Sequence, residues 1–328
     1  MPVFINANQR ANQSCDPFPG PDSQCVIGTY VQNAVNVSTP AHVISTKGEF
    51  HVLTTLIFRQ TVGWAGGYVQ GGGHSLMGSK FGMGADQLLF MEVITTTGKF
   101  VAASPAQNED LFWAMSGGVG SPIRVNLKQL KAFPDMPCAG ALPSFNAGPT
   151  VSLAKWWEAV DFYQEGTPKT TDAGGVSYSF YSERSFQMAP LFLPNSTAAG
   201  VKEHIQPLVN KLNSLGIPHN LTIAEFPGFF AAHEGLFPPE SFAVGIMQFG
   251  GRLLPRSLWE SKASLAKLES VVRTMIEDDA VIFDIAVSPT KERGGNPKNP
   301  ELPARRDAER TFYQTLPWMD RAPLSIAA

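Results

Sequence analysis

The sequence predicts an α+β protein, an antiparallel sheet covered by helices on one face, and two patterns carry that expectation. Val201, Ile205, Leu208, Val209, Leu212 and Leu215 recur at the spacing of an amphipathic helix, with Gly216 standing where a left-handed C-cap is wanted. Around such helical stretches lie runs of strand character: Val176-Tyr178-Phe180 alternating with serines, Ser241 to Phe249, and the buried-type run Ala280 to Val287. Each element has one apolar face to bury, so helices interleaved with alternating strands stack as layers.

The elements follow in chain order. At 328 residues, with 43% hydrophobic and 16% charged residues, the chain is long and apolar enough to build two cores, which argues against disorder. It divides near Phe133-Pro134, where a glycine-dense first part gives way to long helical periods, so domains 1–133 and 134–328 are expected. In the first, Leu88 to Thr95, the turn Thr97-Gly98 and Lys99 to Ala103 read as a hairpin. Asn108 is a candidate N-cap for a short helix over Leu111 to Met115, with Glu109 and Asp110 in its first turn and Gly117-Gly118 stopping it. In the second, Ser152 to Glu165 and Ser257 to Glu277 are further helices, the latter with Leu258, Leu265, Leu268, Val272 and Met275 near one face.

A net charge of −3 gives no reason to expect a nucleic-acid or acidic-lipid partner, and no membrane span is expected. Cys15 and Cys25 lie close together while Cys138 stands alone; a Cys15–Cys25 disulfide and three unlinked thiols both fit the spacing. Sequons at Asn12, Asn36, Asn195 and Asn220 lean toward a secretory origin, yet Met1 to Arg10 is too short and polar for a signal peptide. Either the chain is intracellular or its start lies upstream.

The sharpest local signal is Thr61-Val62-Gly63-Trp64-Ala65-Gly66-Gly67-Tyr68-Val69-Gln70-Gly71-Gly72-Gly73-His74-Ser75, with six glycines in fifteen residues. Backbone without Cβ atoms can take positive φ and turn successive N–H groups into one concavity suited to phosphate oxygens, so a dinucleotide pyrophosphate fits. A glycine-rich bulge packing two strands closely fits as well. The spacing is not the G-x-G-x-x-G fingerprint, no Gly-Lys-Ser/Thr follows, and Gly73-His74-Ser75-Leu76-Met77 is not a hydrolase elbow. His74 could face an anionic ligand or be an ordinary hydrogen-bonded histidine. No pair among His42, His51, His74, His204, His219 and His233 has metal-ligand spacing with a third ligand nearby, so no metal is expected.

Gly66 to Ser75, continued by Lys80 to Gln87, by Glu92-Val93 and by Asn108 to Ala114, resembles the flavin domain of fungal berberine-bridge-enzyme-like oxidases, four blocks in one order. Asn12 to Phe18 and Tyr30 to Ala41 resemble that domain's disulfide-bearing opening. Ala173-Gly174-Gly175, Gly250 to Leu253 and Ser288-Pro289-Thr290 resemble the family's substrate domain. The resemblance implies a PCMH-type FAD-binding domain followed by a substrate domain with an antiparallel sheet covered by helices. It implies FAD contacts at Thr61, Val62, Gly63, Gly66, Gly67, Gly71, Gly73, His74, Asp86 and Val93, and substrate-side positions at Tyr178 and Gln248. The implied activity is oxidation of a small alcohol, sugar or secondary-metabolite intermediate by hydride transfer to flavin and on to dioxygen.

Departures qualify that picture. Only Ile44 to Phe58 stands where the family carries a long helix, a strand and the Gly-His-Asp motif whose histidine bonds the flavin, and Arg59 occupies the position of a second flavin-bonding cysteine. Ser121-Pro122-Ile123-Arg124-Val125 replaces a further glycine and Phe/Tyr-Gly-Val-Val, and no Asn-Tyr segment follows Trp318. Non-covalent FAD is therefore expected, with an incomplete flavin domain and no catalytic base that can be named. The rival expectations are a redox-silent binding or shaping protein, or an incomplete gene.

Overall fold

A computed structural model describes residues 49–50, 69–95, 97–118, 124–131, 133–237 and 247–317. Thr61, Val62, Gly63, Gly66, Gly67, Arg59, the Cys15/Cys25 pair, and the sequons at Asn12 and Asn36 lie outside the described residues. The described part forms two compact units. One takes the chain before Pro137 together with Pro289–Arg306; the other takes most of the remainder. Pro289–Arg306 lies within the stretch read from sequence as the second domain, and it joins the first unit through polar contacts that no hydrophobic period announces.

In the first unit β1 (Glu49–Phe50) pairs with a short strand at Phe133–Pro134. The one-turn helix α1 (Gly78–Phe81) precedes β2 (Leu88–Ile94), which is the centre of a three-stranded antiparallel sheet with β3 (Phe100–Ala103) on one side and β4 (Arg124–Leu130) on the other. The hairpin read from sequence is β2–β3, with Glu92 opposite Ala102. Helix α2 (Glu109–Met115) buries Phe112 and Met115 with Val69, Met91, Val93 and Leu130. Asn108 does stand at its N-cap, but its side chain makes no cap bond; at φ 48° it turns away and donates from Nδ2 to the Ala102 carbonyl at 2.7 Å.

The second unit is one seven-stranded antiparallel sheet. After β5 (Phe133–Pro134, the partner of β1), its strands are β6 (Cys138–Asn146), β7 (Val176–Ser182), β8 (Ser185–Pro194), β9 (His219–Phe226), β10 (Met247–Pro255), β11 (Val281–Ala286) and β12 (Ala308–Pro317), in the order β10-β12-β11-β7-β8-β6-β9. Helices α3 (Leu153–Glu165), α4 (Thr167–Asp172), α5 (Ala198–Leu215), α6 (Phe229–Leu236) and α7 (Lys262–Glu277) complete it. Ser152, Thr197 and Ser261 cap α3, α5 and α7 by accepting from the amides of Lys155, Gly200 and Ser264. Gly216 closes α5 at φ 68°, as its left-handed role demands. The third helical period starts later than the sequence suggests: Leu258 sits in a 3₁₀ turn, Arg256–Trp259, and α7 buries Leu265, Val272 and Ile276.

Trp156, Val160, Val201, Ile205, Leu212, Val272 and Ile276 pack with Tyr181, Phe186, Ile282 and Phe312 of the sheet into one core. The expectation of helices on one face needs a correction. Phe192 alternates with the core-facing Leu191 and Leu193 and so turns to the other face, where Phe229 of α6 meets it edge-on at 5.9 Å. Asn195, in the turn after β8, and Asn220, on edge strand β9, are both exposed.

Inside the core the helix-facing side of β7, β11 and β12 carries a charged cluster. Asp284 accepts from Tyr181 Oη at 2.5 Å and pairs with Arg310 Nη2 at 2.8 Å, with neither side chain exposed. Tyr163 of α3 donates to Asp284 at 3.3 Å, and the Arg310 guanidinium lies 5.0 Å from its ring centroid. Burial raises the pKa of Asp284 while Arg310 opposes it. A pair this dry is held by its mutual attraction and its tyrosine bonds against the cost of leaving water.

Candidate functional site

The glycine-rich run is described from Val69 onward, and there it belongs to no strand. Val69 is buried and starts a turn: the Gly72 amide donates to its carbonyl at 3.2 Å, Gly72 and Gly73 follow at φ 94° and 74°, and Ser75 Oγ accepts from the Met77 amide at 3.1 Å. Ala85 and Gly84 donate to the Gly72 and Gly73 carbonyls at 2.9 and 2.7 Å, which ties the turn to the 3₁₀ segment Gly84–Gln87 and so to β2. Two consecutive residues at positive φ are a conformation that side chains resist, so glycine is required here. Gly71 and Gly73, both expected at the cofactor, lie on this turn.

Facing the turn is Glu301. A Cβ on Gly72 would collide with its carboxylate, and one on Gly117, at φ 110° just after α2, would stand 3.1 Å from Oε2. The Glu301 side chain is 2% exposed; Oε1 pairs with Arg305 Nε at 3.2 Å, and Oε2 has no hydrogen-bond partner among the described residues. Burial raises its pKa, with Arg305 and Arg306 opposing. His74 is an exposed residue overall, yet the protein packed around its ring, and then the nearby Arg305, lower its pKa to about 4. The lowered pKa leaves the imidazole neutral at pH 7.

Asp86 and Val93 are engaged within the protein. Asp86 Oδ1 and Oδ2 accept from Arg306 Nη2 and Nη1 at 2.5 and 2.7 Å, and further bonds come from Asn299 Nδ2 at 2.8 Å and the Met83 amide at 2.7 Å. Arg306 also donates to the Pro289 carbonyl at 3.3 Å, so this carboxylate anchors both ends of Pro289–Arg306. The Val93 side chain is fully buried in the unit's core and its residue pairs with Val101 and Val125. Sequence reasoning missed Asn299, Glu301, Arg305 and Arg306. The one trace was the four-residue spacing of Glu301 and Arg305, and it says nothing of a partner more than 200 residues away.

In the second unit Tyr178 lies on the sheet face opposite the three long helices, part-exposed, beside an aromatic row. Phe180 stacks on Phe283 at 4.6 Å, Phe283 on Tyr313 at 5.6 Å, and Tyr178 lies 5.8 Å from Phe283 and 5.5 Å from Phe237. Gln248 lies on β10 opposite Leu316, three strands from β7. At about 4.8 Å per strand, that is a lateral offset of about 14 Å from Tyr178, so the two expected substrate-side residues are not neighbours. Among the described residues no group of three His, Cys, Asp or Glu side chains is placed to hold a metal.

Helices packed on antiparallel sheets, with a positive-φ glycine turn beside the three-stranded one, make this an α+β protein, the class expected for a PCMH-type domain joined to a substrate domain. No family model matches the sequence. The chain is 33% identical over 317 residues to the FAD-linked oxidoreductase patO of Aspergillus clavatus, covering 96% of this chain and 53% of that protein, and 37% identical over 261 residues to patO of Penicillium expansum, covering 79% and 45%. The VAO-type flavoprotein MtVAO615 of Myceliophthora thermophila superposes with a TM-score of 0.68 at 25% identity, over 78% of this chain and 47% of that one. The chain is thus similar over almost its whole length to FAD-linked oxidoreductases, and its fold is similar to that of a VAO-type flavoprotein. It spans about half the length of the curated relatives it matches.

Proposed function

We propose that this chain is the flavin-holding and substrate-facing core of an FAD-linked oxidoreductase that oxidises a small alcohol, sugar or secondary-metabolite intermediate, with dioxygen as the final acceptor. The observation that carries the reading is the turn at Gly72 and Gly73, a backbone outside any strand that only glycine adopts without strain. Its residues fit the cofactor: Gly71, Gly73 and His74, with Thr61, Val62, Gly63, Gly66 and Gly67 of the same run, would hold the diphosphate through backbone amides. FAD, when bound, supplies the hydride acceptor. A neutral His74 hydrogen-bonds without adding charge, and the Asp86–Arg306 anchor holds the 3₁₀ segment that supports the turn.

Binding is non-covalent, since Arg59 stands at the cysteine position and the Gly-His-Asp motif has no counterpart. On the substrate side the row Tyr178, Phe180, Phe283 and Tyr313 suits a ring-bearing molecule that stacks on its partly open faces. The partner is a small molecule, with no nucleic acid or membrane involved, and the exposed sequons at Asn195 and Asn220 favour a secretory origin. The purified protein tests the reading by its spectrum. A yellow preparation, or one that turns yellow with added FAD and loses all flavin on acid precipitation, is expected; a folded protein that stays colourless with FAD overturns it.

A further inference from the structure

One row of the seven-stranded sheet changes character midway. Register sets Tyr313, Phe283, Phe180, Gln187 and Ser144 side by side on β12, β11, β7, β8 and β6. The row lies on the face opposite the three long helices, since Tyr181, Phe186 and Phe145, one residue along from Phe180, Gln187 and Ser144, pack into the core. Phe283 stacks on Phe180 with centroids 4.6 Å apart and planes at 14°, and on Tyr313 at 5.6 Å and 16°. Parallel rings about one strand spacing apart overlap face to face rather than lie flat on the sheet, so both faces of Phe283 are spent on its neighbours. Tyr313 turns its second face toward β10, where Gly251 leaves it room: a Cβ there would stand 3.1 Å from Tyr313 Cδ1. Phe180 turns its second face toward β8 and is 41% exposed, more than either of the other two rings. At β8 the ladder stops, because Gln187 is exposed there with an amide that both donates and accepts, and Ser144 beyond it brings a hydroxyl.

We infer that Phe180 and Gln187 select the substrate: an uncharged planar aromatic ring stacks on Phe180 as a fourth ring of the ladder, and a hydroxyl or carbonyl on that ring bonds to the Gln187 amide. The inference rests on the substrate side of the reading above and narrows it, from alcohols and sugars in general to aryl compounds. A fourth parallel ring gains offset stacking that a puckered sugar ring lacks, and one amide with one hydroxyl cannot serve the many hydroxyls of a sugar. The five side chains of the row carry no charge, and the charges at the β7–β8 turn, Glu183 and Arg184, pair with each other at 3.3 Å, so a charged ligand gains no counter-ion here. Phe180 and Gln187 are both exposed, so a change at either alters this step without entering the core.

Ligand-observed NMR titration of the full chain, without added FAD, tests this with 4-hydroxybenzyl alcohol, toluene and cellobiose. The aryl alcohol should bind at least about fivefold more tightly than cellobiose, and Phe180→Leu should weaken it about fivefold while Phe180→Tyr keeps it. Gln187→Leu should weaken the aryl alcohol about fivefold and leave toluene unchanged. Circular dichroism shows that each variant is folded. Cellobiose bound as tightly as the aryl alcohol, no binding of the aryl alcohol by the wild type, or undiminished binding by Phe180→Leu overturns the inference and leaves the flavin reading to its own colour test. Aryl-alcohol binding as expected in a protein that stays colourless with FAD keeps the ring site and overturns the flavin reading.

Discussion

Arg306→Met tests how the first unit holds its late segment. The Asp86 side chain has no exposed surface, and Arg306 gives it two of its four bonds, at 2.5 and 2.7 Å. The substitution keeps the aliphatic stem and leaves a buried carboxylate with only Asn299 Nδ2 and the Met83 amide. A hydrogen bond to a charged group contributes about 1.5–3 kcal/mol, and orphaning one member of a buried pair costs about 3–5 kcal/mol, so the expected loss is about 3–5 kcal/mol. For a unit of this size that is a fall of roughly 6–20 °C in Tm. Urea unfolding measures it, with hydrogen exchange across 289–306 showing whether that segment loosens first. A loss below about 1 kcal/mol, the value of an exposed pair, would refute the anchoring role.

Three further outcomes follow from the same physics. Arg310→Met should cost about 3–5 kcal/mol in thermal unfolding because Asp284 stays buried and charged, whereas adding Asp284→Leu should recover most of it; a double variant no better than the single one contradicts that account. Burial, with repulsion from Asp161 and Glu165, raises the Glu269 carboxyl from 4.5 to about 7, so the folded chain keeps a proton that the unfolded chain has lost. The associated stability is full below about pH 4.5 and is lost as pH rises through 7; Glu269→Gln should flatten the melting-temperature slope between pH 5 and 8, by at most about 1 kcal/mol given its exposure, and an unchanged slope counts against it. The His74 ring resonance should stay at its neutral-form shift from pH 8 down to about 5; a midpoint near 6.5 would mean that neither packing nor Arg305 acts on it.

Elements with a local cause were legible in the sequence. The α5 period with Gly216, the helix from Ser152 to Glu165, the β2–β3 hairpin and the β11 run each depend on neighbours a few residues away, and each is found. What escaped was set by distant partners. β6 and β12, each one strand in from an edge of the seven-stranded sheet, do not alternate cleanly, and Asp284, Glu309 and Arg310 break the apolar pattern by pairing with residues on other elements. Asn108 stands at the expected cap but bonds to Ala102, since β3 ends within reach of its amide. In the site, the glycines announced themselves by composition, while Glu301 and Arg306 did not, because their partners are more than 200 positions earlier.

The most direct measurement is FAD binding by Gly73→Val set against the wild type, with circular dichroism showing that both are folded. Valine resists φ 74° and thickens the turn where the diphosphate would lie, so the account predicts flavin quenching by the wild type and at least about a tenfold weaker response in the variant. A folded variant that binds FAD as tightly as the wild type would show that the cofactor does not use this turn.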